Sequence, residues 1–229
     1  MHLSVFSSLC FGTLVALGSP IVHRRDTDLN STGCDDYCAG TRPGNTKDDE
    51  VYVCKDWRLG PVAPPSGVPV DDIVGKYYRR FGGLCPGEFL KAWTNQTDGR
   101  WAYPPEQGFS IDTTGSPICS NLTLGKGDLI DRFGDETGDF VAPAFTPYAM
   151  RSIPPSNLNT RDAEYPYGYH VYMVADKITV LAGPTSPHFA QEGGGLQYRL
   201  YSSVAELVSG GYLFRMDPKS LVKILAGEK

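Results

Sequence analysis

The cysteines of this chain all lie in its first 119 residues, and this asymmetry divides the sequence into two parts. Five follow the first 18 residues, and none lies between residues 120 and 229; the five are Cys34, Cys38, Cys54, Cys85 and Cys119. An odd set predicts two disulfides and one thiol that is free or paired with another molecule, without fixing the pairing. A zinc site is the alternative for Cys34 and Cys38, but no histidine or second close cysteine pair completes it. We expect a disulfide-stapled unit over residues 19–115 and a second unit over residues 116–229.

The amino terminus has the pattern of a signal peptide. Residues 1–18 are apolar and small, and Ala16 and Gly18 occupy the small positions that a signal peptidase reads. This segment is too short for a membrane span, and no other segment approaches that length. A buried terminal strand or helix is the alternative. The following His23-Arg24-Arg25 is either a second processing site or a solvated charge pair, so we expect a secreted or cell-surface protein.

Composition agrees with secretion and excludes some partners. Sequons at Asn30, Asn95 and Asn121 predict a glycosylated surface. The net charge is -5 and no Lys/Arg run exceeds a pair, so a nucleic-acid partner is not expected. The chain has 18 prolines and 26 glycines, which predict many turns and make helix the minor component.

Periodicity predicts an α+β fold with short helices. The spacing of Ile73, Tyr77 and Phe81 predicts a helix over residues 70–81, with Gly82-Gly83 as its stop. Alternating β-branched and aromatic residues predict strands at 169–174 and 178–181, joined by a tight connection, and a further strand at 197–201.

Two more helices are predicted near the carboxyl end. Ser203 and Glu206 form a capping box, and Gly210 is expected to close that helix in a left-handed conformation. Asp217 is the expected N-cap of a final helix from Pro218, whose apolar face comprises Leu221, Val222, Ile224 and Leu225. This face could pack on the chain's own core or on a second subunit in a homodimer.

The sequence lacks the motifs of several common classes of nucleotide-binding proteins and hydrolases. It has no phosphate-binding P-loop, no dinucleotide glycine fingerprint and no Gly-x-Ser-x-Gly nucleophile elbow. We interpret His170 as a packing residue, and His188 as a loop residue that touches either ligand or solvent. The acidic residues do not follow the EF-hand spacing, so we interpret Asp131, Asp135, Glu136 and Asp139 as a solvated patch rather than a metal site.

The run Gly193-Gly194-Gly195 requires its own explanation, because consecutive glycines lose packing and backbone entropy. A close approach of bare backbone to a ligand is one reason, and a hairpin turn with a bulge is the ordinary alternative. Gln191 is interpreted as a loop residue.

An ordered set of motifs resembles a known family. Asp131-Arg132-Phe133-Gly134 is followed by Gly138-x-Phe140, by Arg151 ahead of a Pro-Pro pair, and by the glycine run with Gln197-Tyr198. This order, over about residues 100–213, resembles the tuberculosis necrotizing toxin domain family, and in particular the secreted fungal NAD glycohydrolases of conidial surfaces.

The resemblance implies a β-rich catalytic core with short helices that cuts NAD, and also NADP, into nicotinamide and an ADP-ribose product without a cofactor. It implies that Phe140 lines the nicotinamide end, that Arg151 lies in the substrate cleft and that Gln197 is the residue most tied to activity. Further candidates for substrate binding are Arg132, Phe133, Gly194 and Gly195. Secretion separates such an enzyme from cytosolic NAD, so no inhibitor protein is expected.

The residue types suit this chemistry. Arginine holds a pyrophosphate by charge-assisted bonds, and Phe140 offers a flat apolar face. Nicotinamide leaves a cationic nucleotide as a neutral group, so no acid is required, and Gln197 can orient a ribose hydroxyl or the attacking water. Arg132 could instead be a surface ion-pair partner, and Phe140 a core residue. Alternative functions are an ADP-ribosyltransferase and a catalytically silent surface glycoprotein. The calcium site of some fungal relatives is not expected, because this chain ends without an acidic cluster.

Overall fold

An antiparallel sheet forms the second half of the structure, a computed structural model that describes residues 33–75 and 77–225. The signal peptide, the dibasic site and Asn30 lie outside these residues. The strands within them are β1 (Ser120–Leu124), β2 (Leu129–Phe133), β3 (Phe140–Pro143), β4 (Tyr169–Val174), β5 (Ile178–Pro184), β6 (Leu196–Arg199) and β7 (Leu213–Met216). Their order is β1-β5-β6-β3-β2-β4-β7, and every pair is antiparallel.

Short helices flank the sheet, and the mixed α+β class is confirmed. They are α1 (Val70–Gly75), α2 (Pro86–Trp93), α3 (Val204–Ser209) and α4 (Pro218–Leu225), with several 3₁₀ turns between them. No helix in the described ranges is both long and apolar enough to cross a membrane.

The sheet curls around one face. The strands β4 and β5 follow one another in the chain but do not pair, since β4 lies between β2 and β7 while β5 lies between β1 and β6. Even so, Val174 of β4 and Val180 of β5 are both fully buried in one cluster, together with Ile130 and Leu213. The short turn between β4 and β5 therefore joins the two halves of the curled sheet instead of closing a hairpin.

The helix predicted over residues 70–81 is wrong in its length. It ends at Gly75, and Tyr77 has a φ of +69°, which a continuing helix cannot contain. Tyr77 is 73% exposed, whereas Ile73 and Phe81 are buried in two different clusters. The apparent helical spacing thus comes from a chain that leaves one core and enters another.

The capping box of α3 is confirmed, and the predicted closure is off by one residue. The Glu206 amide donates to Ser203 Oγ at 3.3 Å, and the Ser203 amide donates to the Glu206 carboxylate at 2.9 Å. Gly210 keeps a right-handed φ of −78°, and the left-handed residue is Gly211, with a φ of +78°.

The final helix, α4, packs against the chain itself. Asp217 accepts hydrogen bonds from the amides of Lys219 and Ser220 at 3.3 and 3.1 Å, as an N-cap does. Leu221 is buried in a cluster with Ile73 and Val171. This contact gives the apolar face a partner within the chain, and a homodimer through α4 stays a prediction.

Two disulfides hold the first part of the chain, as predicted. They join Cys34 to Cys85 and Cys38 to Cys54, and Cys119 is the free cysteine among the described residues. The second part of the chain contributes to the core of this region, because Phe189 from the β5–β6 connection is fully buried in one cluster with Val53, Leu59, Phe81, Phe89 and Leu90.

Candidate active site

A cavity of about 400 Å³ opens between the sheet and the segment that precedes it. Its walls come from β2, β3 and β6, from the loop that carries Arg151, and from the 3₁₀ turn Glu106–Gly108. Five residues predicted from the sequence lie on its lining, namely Arg132, Phe133, Phe140, Arg151 and Gln197. The structure thus brings together residues spread over 66 positions of the chain.

Arg151 is held by a buried carboxylate. Its Nη1 lies 2.6 Å from Asp131 Oδ1, and its Nη2 donates to Asp131 Oδ2 at 2.8 Å. The Nε and Nη2 groups also donate to the Thr146 carbonyl at 2.9 and 2.7 Å. Most of its donors are therefore satisfied within the protein, which favours a role for Arg151 in building the cavity wall.

Asp131 is the centre of this network, and its interpretation as a solvated residue is wrong. It is completely buried and accepts hydrogen bonds from the Phe145 amide and the Tyr169 hydroxyl, both at 2.8 Å. Burial, with the Asp131 charge second, raises the pKa of Tyr169, so this hydroxyl stays a donor. One signal for this burial is present in the sequence: Asp131 directly follows Ile130 in a strand that also contains Leu129 and Phe133.

Phe133 packs against the side chains of the same network. Its ring centroid lies 5.1 Å from Arg151 Cζ and packs against the rings of Tyr148 and Tyr169 at 5.0 and 4.7 Å. Phe133 is 3% exposed, so little of its ring is available to a ligand. Phe140 is half-buried and lines the cavity more openly.

Arg132 differs from Arg151 because no carboxylate of the described residues lies within ion-pair distance of it. Its Nε donates to the Asp135 carbonyl at 2.7 Å and its Nη1 to the Phe140 carbonyl at 2.6 Å. Burial lowers the pKa of its guanidinium, and nearby Tyr172 and Asp139 oppose that shift. The side chain keeps Nη2 as a donor with no bond to the described residues, as a binder of anionic groups would.

Gln197 is placed at the rim of the cavity by β6. Its Nε2 donates to the main-chain carbonyl of Gln107 at 3.0 Å. Its Oε1 has no hydrogen-bond donor among the residues that the structure describes. The amide thus retains an acceptor for a ligand or for water.

The glycine run has a contact that the sequence did not suggest. The amides of Gly193, Gly194 and Gly195 donate to the carbonyls of Ala149, Thr185 and Met150. A Cβ on Gly195 would lie 2.5 Å from the Met150 carbonyl oxygen, so bare backbone is needed where two chain segments meet. Gly194 and Gly195 are not on the cavity lining, and their predicted role in substrate binding gains no support from this geometry.

A second cleft, of about 870 Å³, adjoins the cavity. Both are lined by Tyr103, Arg132, Gly138 and Asn157, so Arg132 lies at their boundary. Trp57, which is 50% exposed, also lines the cleft.

The far wall of this cleft carries a charged group. Arg215 Nε donates to the Glu136 carboxylate at 2.7 Å, and this bond is the main cause that lowers the pKa of Glu136. The Tyr172 hydroxyl donates to the same carboxylate at 2.9 Å. His170 stacks on Tyr165 at 4.2 Å, and burial lowers the pKa of its ring. The packing interpretation of His170 agrees with this contact.

The other acidic residues, together with His188 and Gln191, also have protein partners. Asp135 pairs with Arg161 and Asp139 with Arg199 at the surface. His188 Nε2 lies 2.6 Å from the Ala102 carbonyl oxygen, and its ring packs on Trp93 at 4.6 Å. Gln191 is buried in its loop, where its Nε2 donates to the Arg79 carbonyl at 2.8 Å. These contacts tie the β5–β6 connection to the stapled region.

The two sequons within the described residues are exposed. Asn95 accepts a hydrogen bond from the Thr97 amide at 2.8 Å, and Asn121 accepts one from the Tyr201 hydroxyl at 2.7 Å. Glycosylation at both positions stays a prediction.

Comparison with known proteins gives this site a context. A family model described as tuberculosis necrotizing toxin matches residues 123–216. The conidial surface nicotinamide adenine dinucleotide glycohydrolase nadA of Aspergillus fumigatus is 44% identical over 215 residues, which cover 93% of this chain and 88% of that protein.

Two solved structures are similar at lower identity. The structure of tuberculosis necrotizing toxin (TNT) complexed with its immunity factor IFT has a TM-score of 0.38 and 20% identity, covering 50% of this chain and 61% of that one. Rhs1-CT in complex with its cognate immunity protein RhsI1 has a TM-score of 0.31 and 18% identity, covering 50% and 84%. Both structural similarities are weak, whereas the match to nadA spans nearly all of each chain. The chain belongs to the same family as nadA, that of the tuberculosis necrotizing toxin domain.

Proposed function

We propose that this protein is a secreted or cell-surface glycohydrolase that cuts the bond between nicotinamide and ribose in NAD. The observation that carries the proposal is the cavity in which Phe140 and Gln197 share one lining, in a chain 44% identical to a protein named for this activity. NAD and water give nicotinamide, ADP-ribose and a proton. NADP, which has the same reacting bond, is included as a substrate, and NAD acts here as substrate rather than cofactor.

The chemistry requires little from the side chains. Nicotinamide departs with the bonding electron pair, which neutralises its ring nitrogen, so no group must protonate it. Positive charge develops on the ribose, and water adds at the same carbon before losing a proton to solvent. Phe140 offers an apolar face to the departing ring, while the Oε1 of Gln197 can accept a hydrogen bond from a ribose hydroxyl or from the water.

We expect the remainder of the dinucleotide to extend from the cavity into the second cleft. Arg132 lies between the cavity and the second cleft, where its guanidinium suits a pyrophosphate. Beyond it, Trp57 offers an exposed aromatic face for the adenine ring. Arg151 supports the wall behind the reacting bond through its pair with Asp131.

The test is hydrolysis of NAD by the purified protein, with nicotinamide and ADP-ribose separated by chromatography. We expect equal amounts of the two products, and a fall in kcat of about 100-fold in Gln197→Ala, because a lost orienting group costs that much. Thr179→Ala, an exposed change on β5 away from both cavities, is the matched control.

The outcomes separate three functions. Nicotinamide release without matching free ADP-ribose, when a protein acceptor is present, indicates an ADP-ribosyltransferase. A folded wild-type protein that releases no nicotinamide from NAD or NADP would reject the enzyme and favour a silent surface glycoprotein.

A further inference from the structure

One wall of the cavity comes from outside the part of the chain that matches the family model. That match begins at residue 123, whereas Tyr103, Pro104, Gln107 and Gly108 all line the cavity. We name residues 103–108 the strap. It lines the site, and its Gln107 carbonyl accepts a hydrogen bond from Gln197.

The strap decides which end of the Gln197 amide faces it. A main-chain carbonyl can only accept, so the amide atom 3.0 Å from the Gln107 carbonyl oxygen must be the NH₂ group. The Oε1 is thereby the amide atom that Gln107 leaves without a hydrogen bond. Without this carbonyl, the amide could rotate by half a turn and present a donor in place of an acceptor.

An unusual backbone conformation sets the direction in which the Gln107 carbonyl points. Glu106, Gln107 and Gly108 have φ values of +50°, +57° and +82°, so three consecutive residues are left-handed. Residues other than glycine rarely adopt this region, and the surrounding structure must hold them there.

Hydrogen bonds at the end of the strap hold it in place. The Ser186 amide donates to the Gly108 carbonyl and the Ser186 hydroxyl donates to the Phe109 carbonyl, both at 2.8 Å. The Ser110 amide donates to the Pro184 carbonyl at 2.8 Å, and the Phe109 side chain is 1% exposed. The strap is thus fixed to the end of β5, next to the strand that carries Gln197.

We propose that the left-handed turn at Gln107 is a positioning element, whose main-chain carbonyl holds the Gln197 amide with Oε1 as the acceptor for a reacting O–H group. The proposal rests on the function proposed above. In this arrangement the backbone conformation of Gln107 affects the reaction, because it directs the carbonyl, whereas the side chain of Gln107 has no role in the chemistry. The turn acts on kcat, because it orients a group at the reacting bond.

The experiment compares two substitutions that remove the same side chain. Gln107→Val places a β-branched residue at a left-handed position and shifts the turn, whereas Gln107→Gly tolerates that conformation. We expect kcat for NAD to fall about 10-fold to 100-fold in the valine variant, with KM within about twofold, and the glycine variant to be about tenfold faster than the valine variant. Gly108→Ala, at a φ of +82°, is a second change to the turn.

A double-variant comparison identifies the residue through which the turn acts. In a Gln197→Ala background, Gln107→Val should cause no further loss, since residues that act as a unit are not additive. Equal losses in the glycine and valine variants, or the same loss with and without Gln197, would overturn the proposal. Full activity in folded Gln107→Val and Gly108→Ala proteins would do the same. An inactive wild-type protein instead rejects the proposed function, and this outcome is seen before any variant is made.

Discussion

At the scale of single residues, the sequence predicts which side chains meet but not what each one does. Arg132, Phe140, Arg151 and Gln197 were identified from motifs, and the structure gathers them on one cavity. The role of Arg151 depends on Asp131, which pairs with it across 20 positions of the chain. A local motif does not reveal that two residues so far apart in the sequence form a pair. An aspartate that stands next to an arginine in the sequence is ordinarily solvated.

The pair of Asp131 and Arg151 leads to a prediction about stability. Asp131→Asn leaves a buried guanidinium without its counter-charge, which should lower the free energy of unfolding by about 3–5 kcal/mol. Asp135→Asn is the matched control, because its pair with Arg161 is exposed and should contribute little. Urea unfolding of the two variants measures the difference. Equal midpoints would show that the buried pair does not contribute more than the exposed one.

At the scale of elements, regular segments were easier to predict than connections. The strand at 169–174, the capping box of α3 and the start of α4 follow local rules and were predicted correctly. The length of the helix at 70–81 was predicted wrongly, and the contacts of the glycine run were not predicted, because each depends on a distant segment that the chain meets only after folding. Gly195 lies against Met150, and Phe81 is buried in one cluster with Phe189, and in neither case does sequence spacing reveal the partner.

The connection between β5 and β6 should behave as an anchor. Phe189 is completely buried, and its ring lies 5.4 Å from Trp101 and 5.5 Å from Tyr103, which lines the cavity. Phe189→Ala should therefore lower stability by about 3–5 kcal/mol and also raise KM for NAD, since Tyr103 loses its support. Phe214→Ala, at a position 52% exposed on β7, is the control for loss of an aromatic ring. Thermal unfolding and NAD hydrolysis on both variants give the two readouts, and a stable Phe189→Ala protein with unchanged KM contradicts the anchor.

At the scale of the whole molecule, the stapled region and the sheet depend on each other. Cysteine positions predicted a separate first unit, yet its cluster contains Phe189 from the second part, and the strap supplies a wall of the cavity. Composition can divide a chain into segments, but it does not report which segments share a core. We therefore expect the disulfides to stabilise the active site as well as the region in which they lie.

This dependence makes the two disulfides distinguishable by experiment. The bond between Cys34 and Cys85 closes a separation of 51 residues, and that between Cys38 and Cys54 closes 16. In the chain-entropy model the longer loop stabilises more, by about 1 kcal/mol. Replacing Cys34 and Cys85 by serine should thus lower the thermal midpoint more than replacing Cys38 and Cys54. It should also reduce NAD hydrolysis at temperatures near the new midpoint, because α2 and the cluster around Phe189 loosen together.

Cys119→Ser is the control, since this thiol has no disulfide partner among the described residues and its loss should leave the midpoint unchanged. If both serine pairs unfold at lower temperature while NAD hydrolysis in the folded state keeps its wild-type rate, the disulfides support folding alone and the active site is rigid without them.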